Sequence, residues 1–254
     1  MEHIDERAGM KGRAYAGRGG ALVTGSSTGI GRAIALALAE DAFDVAIHYR
    51  SSREAAEDVA TEVRERFGVR AVVLQADVTH EDEARALVDD ASEALGGLRV
   101  VVNNVGDYHH GPVAELDAET WHRMLASNLH SVFYVCQRAV AIMREAGGGR
   151  VVNIGYTGAE IIKARPGIVA YQIAKTGVII YSKALARSEA AHGVTVNVVS
   201  PGVMENSVTK PHDELPMGRT GRLDEIAGAV RYFVSPEAAY VTGTHLEVAG
   251  GWNL

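Results

Sequence analysis

The chain has 254 residues, 47% of them hydrophobic, which is enough apolar material for one large core. Its net charge of −7 and the lack of any basic stripe speak against a nucleic-acid partner. No apolar run approaches the roughly 20 residues of a membrane-spanning helix, so no membrane partner is expected.

Residues 1–18 combine charges and glycines with no apolar stretch, and read as a flexible polar extension, not a signal peptide. Residues 19–254 contain no Pro/Ser-rich linker and read as one domain. A strand at 21–24 leads to a helix over 31–40, a strand at 45–49, and a charged amphipathic helix over 53–67 that Gly68 ends. A strand at 71–75, a helix over 81–95 and a strand at 100–103 follow. One long helix is predicted over 120–144, and its apolar stretch at 132–136 holds the only cysteine, Cys136, which reads as a buried, inert thiol. A chain without disulfides fits a reducing compartment, and a cytoplasmic location is expected. A strand at 150–154, a loop, a helix from about 168 to 191 and a strand at 194–199 come next, then a helix over 224–234 and a strand at 244–248. Apolar strands alternating with helices imply βαβ units. The fold class expected is α/β: a single-domain, Rossmann-type, doubly wound parallel sheet of about seven strands with helices on both faces.

Two motifs carry chemistry. Gly25, Gly29 and Gly31 follow the first strand and open the first helix. Glycines there permit a tight turn and close approach of the backbone to a pyrophosphate, and a helix N-terminus adds unpaired N–H groups and partial positive charge. Tyr171 and Lys175 lie four residues apart, one helical turn, so that phenol and ammonium emerge on the same face. A cation beside a phenol favours the phenolate and lowers its pKa from roughly 10. The ten histidines show no ligand spacing, and no metal is expected; the pair His109 and His110 reads as loop or pocket wall.

The G-x3-G-x-G spacing resembles that of the short-chain dehydrogenase/reductase family. Asp77 within 76–78, Asn103-Asn104-Val105-Gly106 after the fourth strand, Asn128 in the long helix and Pro201-Gly202 after the sixth strand extend the resemblance from about residue 19 to the C-terminus. The similarity is strongest to β-ketoacyl-(acyl-carrier-protein) reductases. It implies a nicotinamide cofactor, expected to be NADP(H) from residues 50–51 with NAD(H) as the alternative, and a small-molecule carbonyl substrate. Tyr171 would be the acid/base, Lys175 its partner and a ribose ligand, and Asn128 the holder of a relay water. The cofactor site implied comprises Gly25, Ser27, Gly29, Ile30, Gly31, Asp77, Val78, Asn104, Gly106, Pro201, Gly202 and Val203. No acid stands at the end of the second strand, where a carboxylate would bind the ribose of NAD; Arg50 and Ser51 are there instead and suit a 2′-phosphate. The C-terminal run 240–252 resembles the family's tetramer-forming end and implies a homotetramer.

The chain departs from the family at the serine that orients the carbonyl. By strand position Tyr156 replaces it; Thr157, one residue later, keeps an aliphatic hydroxyl. Either is a candidate. The stretch 155–160 also resembles enoyl-thioester reductases, whose catalytic tyrosine and lysine are seven apart, as Tyr156 and Lys163 are. A weakly catalytic cofactor-binding sensor or scaffold is the alternative of another class. Tyr181, without a matched lysine, reads as core.

Overall fold

The computed structural model describes residues 19–207, 210 and 212–253; the extension expected at 1–18 lies outside the described residues. Seven strands are present: β1 (Gly20–Val23), β2 (Asp44–Tyr49), β3 (Ala71–Gln75), β4 (Leu98–Asn103), β5 (Gly149–Ile154), β6 (Val194–Pro201) and β7 (His245–Val248). They form one sheet in the order β3-β2-β1-β4-β5-β6-β7, with every pairing parallel. Seven helices cover it among the described residues: α1 (Gly29–Glu40), α2 (Arg53–Phe67), α3 (Glu81–Leu95), α4 (Ala118–Leu125), α5 (Ser131–Glu145), α6 (Val169–Glu189) and α7 (Leu223–Val234).

Alternation within each strand feeds two separate cores. Ala21 and Val23 of β1 pack with Ile34, Ala56 and Ile226, from α1, α2 and α7. Leu22, pointing the other way, packs with Leu87, Val135 and Val178, from α3, α5 and α6. The central strands therefore read as unbroken apolar runs rather than alternating ones. From β1 the chain winds outward to β3, then returns to β4 and winds the other way. This reversal between β1 and β4 opens a crevice beyond the carboxyl ends of the strands.

The expected helix over 120–144 is not a regular helix. A five-residue π-turn, Ala126–His130, separates α4 from α5. Asn128 Nδ2 donates to the Met124 carbonyl at 3.1 Å, the acceptor a regular helix would use for the Asn128 amide. A second polar chain ties the site helix to the sheet. Asn103 Nδ2 donates to Asn153 Oδ1 at 2.8 Å, and Asn153 Nδ2 donates to Ser182 Oγ at 2.8 Å, joining β4, β5 and α6. All three residues are buried. Asn153→Ala leaves the Asn103 amide only the Cys136 sulfur as acceptor. The expected cost is about 1–3 kcal/mol, read as a lower urea midpoint with an unchanged slope.

Candidate active site

The glycine turn continues directly from β1. Gly25 and Gly29 adopt φ of 63° and 56°, a region closed to most side chains. At Gly31 a Cβ would lie 2.2 Å from the Gly25 carbonyl oxygen, so only hydrogen fits. No side chain caps the N-terminus of α1, and its first turn holds no acid; α3, by contrast, opens with Glu81, Asp82 and Glu83. The positive end of α1 is thus left uncompensated by its own residues. Side chains from two neighbouring strands fix the turn. Asn104 Nδ2 donates to the carbonyls of Thr24 (3.0 Å) and Gly25 (3.1 Å). The His48 ring, buried at the end of β2, accepts from the Gly25 N–H at 2.8 Å through Nδ1 and meets the Ala76 carbonyl at 3.1 Å through Nε2. These partners place the proton on Nε2, and burial holds the imidazole neutral by lowering its pKa. His48 was not among the expected site residues; a polar side chain in an apolar strand was the signal available.

The expected adenosine-side residues sit apart, at the ends of β2 and β3. Arg50 and Ser51 are exposed, and Arg50 Nη1 stands 3.9 Å from Asp77 Oδ2. Burial works against the charge on Asp77, but hydrogen bonds from the Thr79 amide and hydroxyl, with Arg50 nearby, keep its carboxyl below the usual range. The Val78 side chain is buried in the core beneath α3. Ser27 is half-buried within the turn.

A cavity of about 740 Å³ opens beyond the ends of β4, β5 and β6. Ile30, Asn104, Gly106, Pro201, Gly202 and Val203 line one part of it; Tyr156, Tyr171, Asn128 and Lys175 line another. Tyr171 and Lys175 share one face of α6, with the ammonium 5.8 Å from the phenol's ring centroid. Lys175 is buried and donates to the Ile154 carbonyl at 2.8 Å. Burial lowers its pKa to about 8. Asn128 Oδ1 is buried and has no hydrogen-bond partner, while its Nδ2 donates to the Asp107 carbonyl at 2.9 Å. Both groups crowd Gly106: a Cβ there would lie 2.3 Å from Asn128 Oδ1 and 3.3 Å from Lys175 Nζ.

Two expectations need correction. Tyr171 is not lowered toward neutrality in this arrangement. Burial pushes its phenol well above the ordinary range, and neighbouring Tyr156 and Tyr108 add to the rise. Lys175 is bonded to a backbone carbonyl and does not donate to the phenol. The Tyr171 hydroxyl is accordingly held as a proton donor. Thr157 does not supply the second hydroxyl to the cavity: it is buried, and its Oγ1 donates to the Ser200 carbonyl at 3.1 Å. Tyr156 is the one of the two candidates that faces the cavity, its ring 5.3 Å from that of Tyr171 and nearly edge-on. Lys163 is exposed on the preceding loop and forms no counterpart to the α6 pair. Tyr181 packs partly buried against the core, edge-on to Phe133. Cys136 is buried, its thiol pushed up to about 12 by burial.

Further residues complete the walls, among them His110, expected from the sequence as loop or pocket wall. Tyr108 stands edge-on to Tyr171 at 5.2 Å, and Arg165, His110, Ile168, Asn206 and Trp252 also line the cavity. Trp252 reaches it where the C-terminal run meets the loop after β5, with Asn253 Nδ2 donating to the Thr157 carbonyl at 3.5 Å. Among the described residues no cluster of His, Cys, Asp and Glu could hold a metal ion, and no helix is long and apolar enough to cross a membrane.

The fold and site together define a Rossmann-type α/β protein with a tyrosine–lysine pair at the carboxyl edge of its sheet. Residues 25–253 match the family described as Enoyl-(Acyl carrier protein) reductase. Over 243 residues the chain is 36% identical to the 3-oxoacyl-[acyl-carrier-protein] reductase FabG of Staphylococcus aureus, covering 92% of this chain and 98% of that protein. It is 38% identical to Nodulation protein G of Azospirillum brasilense over 242 residues, covering 92% and 97%. A short chain dehydrogenase from Burkholderia cenocepacia, solved in complex with NADP, superposes with a TM-score of 0.86 at 35% identity, covering 94% of this chain and 98% of that one. A short-chain type dehydrogenase/reductase from Mycobacterium marinum gives 0.88 at 32% identity, covering 94% and 96%. The chain belongs to the short-chain dehydrogenase/reductase family and is an oxidoreductase.

The buried ammonium generates a pH signature. Its pKa in the fold, about 8, lies below the ordinary 10.5. Between these values the unfolded chain binds the extra proton, so this group adds stability as pH rises through that window. Wild type is expected to gain stability over Lys175→Met between about pH 8 and pH 10.5. Urea midpoints that run parallel for the two proteins across the window would contradict the burial of a charge at Lys175.

Proposed function

We propose that the chain is an NADPH-dependent reductase of a small ketone, of the 3-oxoacyl thioester class, with Tyr171 as the acid that protonates the carbonyl oxygen. The observation that carries this reading is the convergence of Tyr171, Lys175 and the unpartnered Asn128 Oδ1 on one cavity beside the glycine turn. The turn fits a dinucleotide, because the backbone at Gly31 leaves no room for a Cβ and the end of α1 carries no cap or acid. Gly25, Ser27, Gly29, Ile30 and Gly31 would hold the pyrophosphate side. Asp77 and Val78 would meet the adenine, Asn104, Gly106 and Lys175 the ribose, and Pro201, Gly202 and Val203 the nicotinamide. NADPH when bound supplies the hydride. Arg50 and Ser51, exposed just beyond β2, whose end carries no acid, suit its 2′-phosphate. The relatives named as FabG and the structure in complex with NADP support this choice.

Tyr171 gives its proton to the substrate oxygen, and Lys175 with Asn128 renews it. The Tyr171 hydroxyl donates to no described residue, so its proton is free for substrate. Asn128 Oδ1 is an acceptor without a partner, suited to a water that passes protons toward Lys175. Tyr156 is the second hydroxyl beside the reacting oxygen, in place of an aliphatic one. The name of the matched family favours enoyl reduction instead, but the helical tyrosine–lysine pair and the FabG relatives favour the ketone. Phe133, Ile173 and Ile180 are exposed on α5 and α6, an apolar face that further copies of the chain would cover in a homotetramer in the cytoplasm.

Tyr171→Phe is expected to lower NADPH-dependent reduction of acetoacetyl thioester by roughly 100- to 10,000-fold, with NADPH binding retained. Reduction of crotonyl but not acetoacetyl thioester by wild type would transfer the chain to the enoyl class. Arg50→Ala should weaken NADPH binding roughly ten-fold or more while leaving NADH binding unchanged; an unaltered NADPH titration removes Arg50 from the site.

A further inference from the structure

Arg165 lies on the loop between β5 and α6 and lines the same cavity as Tyr156 and Tyr171. It forms no ion pair with a carboxylate among the described residues. Its Nη1 donates to the Tyr156 hydroxyl oxygen at 2.6 Å. Its Nε is buried and has no partner. The guanidinium is seated closely: at Gly158, φ 77°, a Cβ would lie 2.7 Å from Arg165 Nη2, so the glycine leaves the space that the arginine fills.

A phenol has one proton to give and lone pairs to accept with. At Tyr156 Arg165 takes an accepting position, and no described residue receives the proton. A guanidinium cannot accept, so the arginine itself offers the proton no partner. The Tyr156 O–H is therefore left for a ligand in the cavity. A charged donor on the phenol oxygen also polarises the O–H and makes it a stronger donor, since linked hydrogen bonds reinforce one another away from bulk water.

The geometry points to Arg165 as a positioning residue: it fixes and polarises the Tyr156 hydroxyl, which then binds the carbonyl oxygen that Tyr171 protonates. Tyr156 and Arg165 together replace the aliphatic hydroxyl that Thr157 has turned toward the Ser200 carbonyl. This rests on the reductase reading above and adds to it a two-residue unit acting on the substrate oxygen.

A double-mutant cycle tests it, run with NADPH and the carbonyl compound that wild type reduces fastest among ketoacyl thioesters, quinones, ketosteroids and sugars. Tyr156→Phe and Arg165→Met are each expected to lower kcat by roughly 100-fold, as for loss of one donor to a developing oxyanion, with KM little changed. The double variant is expected to be no slower than Tyr156→Phe alone, because the arginine acts through the phenol. Arg165→Lys, which keeps a cationic donor, should recover part of the lost kcat. Thermal midpoints and NADPH titrations of each variant identify any that has merely lost its fold. Losses that multiply in the double variant, an Arg165→Met enzyme with wild-type kcat, or an effect confined to KM would each overturn the assignment. Tyr171→Phe in the same assay separates the two claims. If it is inactive while the cycle is multiplicative, only the Tyr156–Arg165 unit fails. If it is as fast as wild type, the acid role of Tyr171 fails. A wild type that reduces no carbonyl compound overturns both.

Discussion

A parallel sheet buried on both faces has only its ends to offer for chemistry. In this chain β1, β4, β5 and β6 are sealed between two helical layers, and their carboxyl ends meet where the winding reverses between β1 and β4. Everything functional follows from that restriction. The glycine turn leaves β1, Asn104 and Gly106 leave β4, Tyr156 leaves β5, and Pro201 and Gly202 end β6. Residues far apart in sequence are brought to one cavity because the strands that carry them are adjacent and in register.

The site is also where the molecule departs from what stability alone would select. A buried ammonium with one backbone acceptor, a carboxamide oxygen with none and an arginine Nε with none are unfavourable in a packed interior. All three groups belong to side chains that line the cavity. Elsewhere Thr195 Oγ1 on β6 is also buried without a partner among the described residues, but Asn103, Asn153 and Ser182 form a connected chain, and His48 is bonded through both ring nitrogens. Three unfavourable groups thus gather on the residues proposed to have a chemical task, while hydrogen-bonded neighbours such as His48 and Asn153 tie the surrounding strands together.

Much of this was legible in the residues. Helix positions came from periodicity and strand positions from short apolar, β-branched runs, both of which are local features of the chain. The long helix at 120–144 was misread only at its π-turn, because the cause is a side-chain bond from Asn128 to the Met124 carbonyl rather than a break in pattern. The tyrosine–lysine pair was legible because four residues is one turn. The sign of the effect on Tyr171 was not, because burial and two nearby phenols outweigh an ammonium that is bonded elsewhere. The choice between Thr157 and Tyr156 turned on where each hydroxyl points, and the Ser200 carbonyl, distant in sequence, takes the threonine.

The sequence by itself determined the α/β class, the glycine turn at the head of α1 and the pairing of Tyr171 with Lys175, since each depends on neighbours within one or two turns of chain. Tertiary structure alone decided that His48 braces the glycine turn, that Arg165 grips the Tyr156 oxygen and that Trp252 closes the cavity wall. The reason is physical: hydrogen-bond direction and side-chain contact between segments depend on how strands are ordered and how loops fold over them. No periodicity within a segment encodes that order.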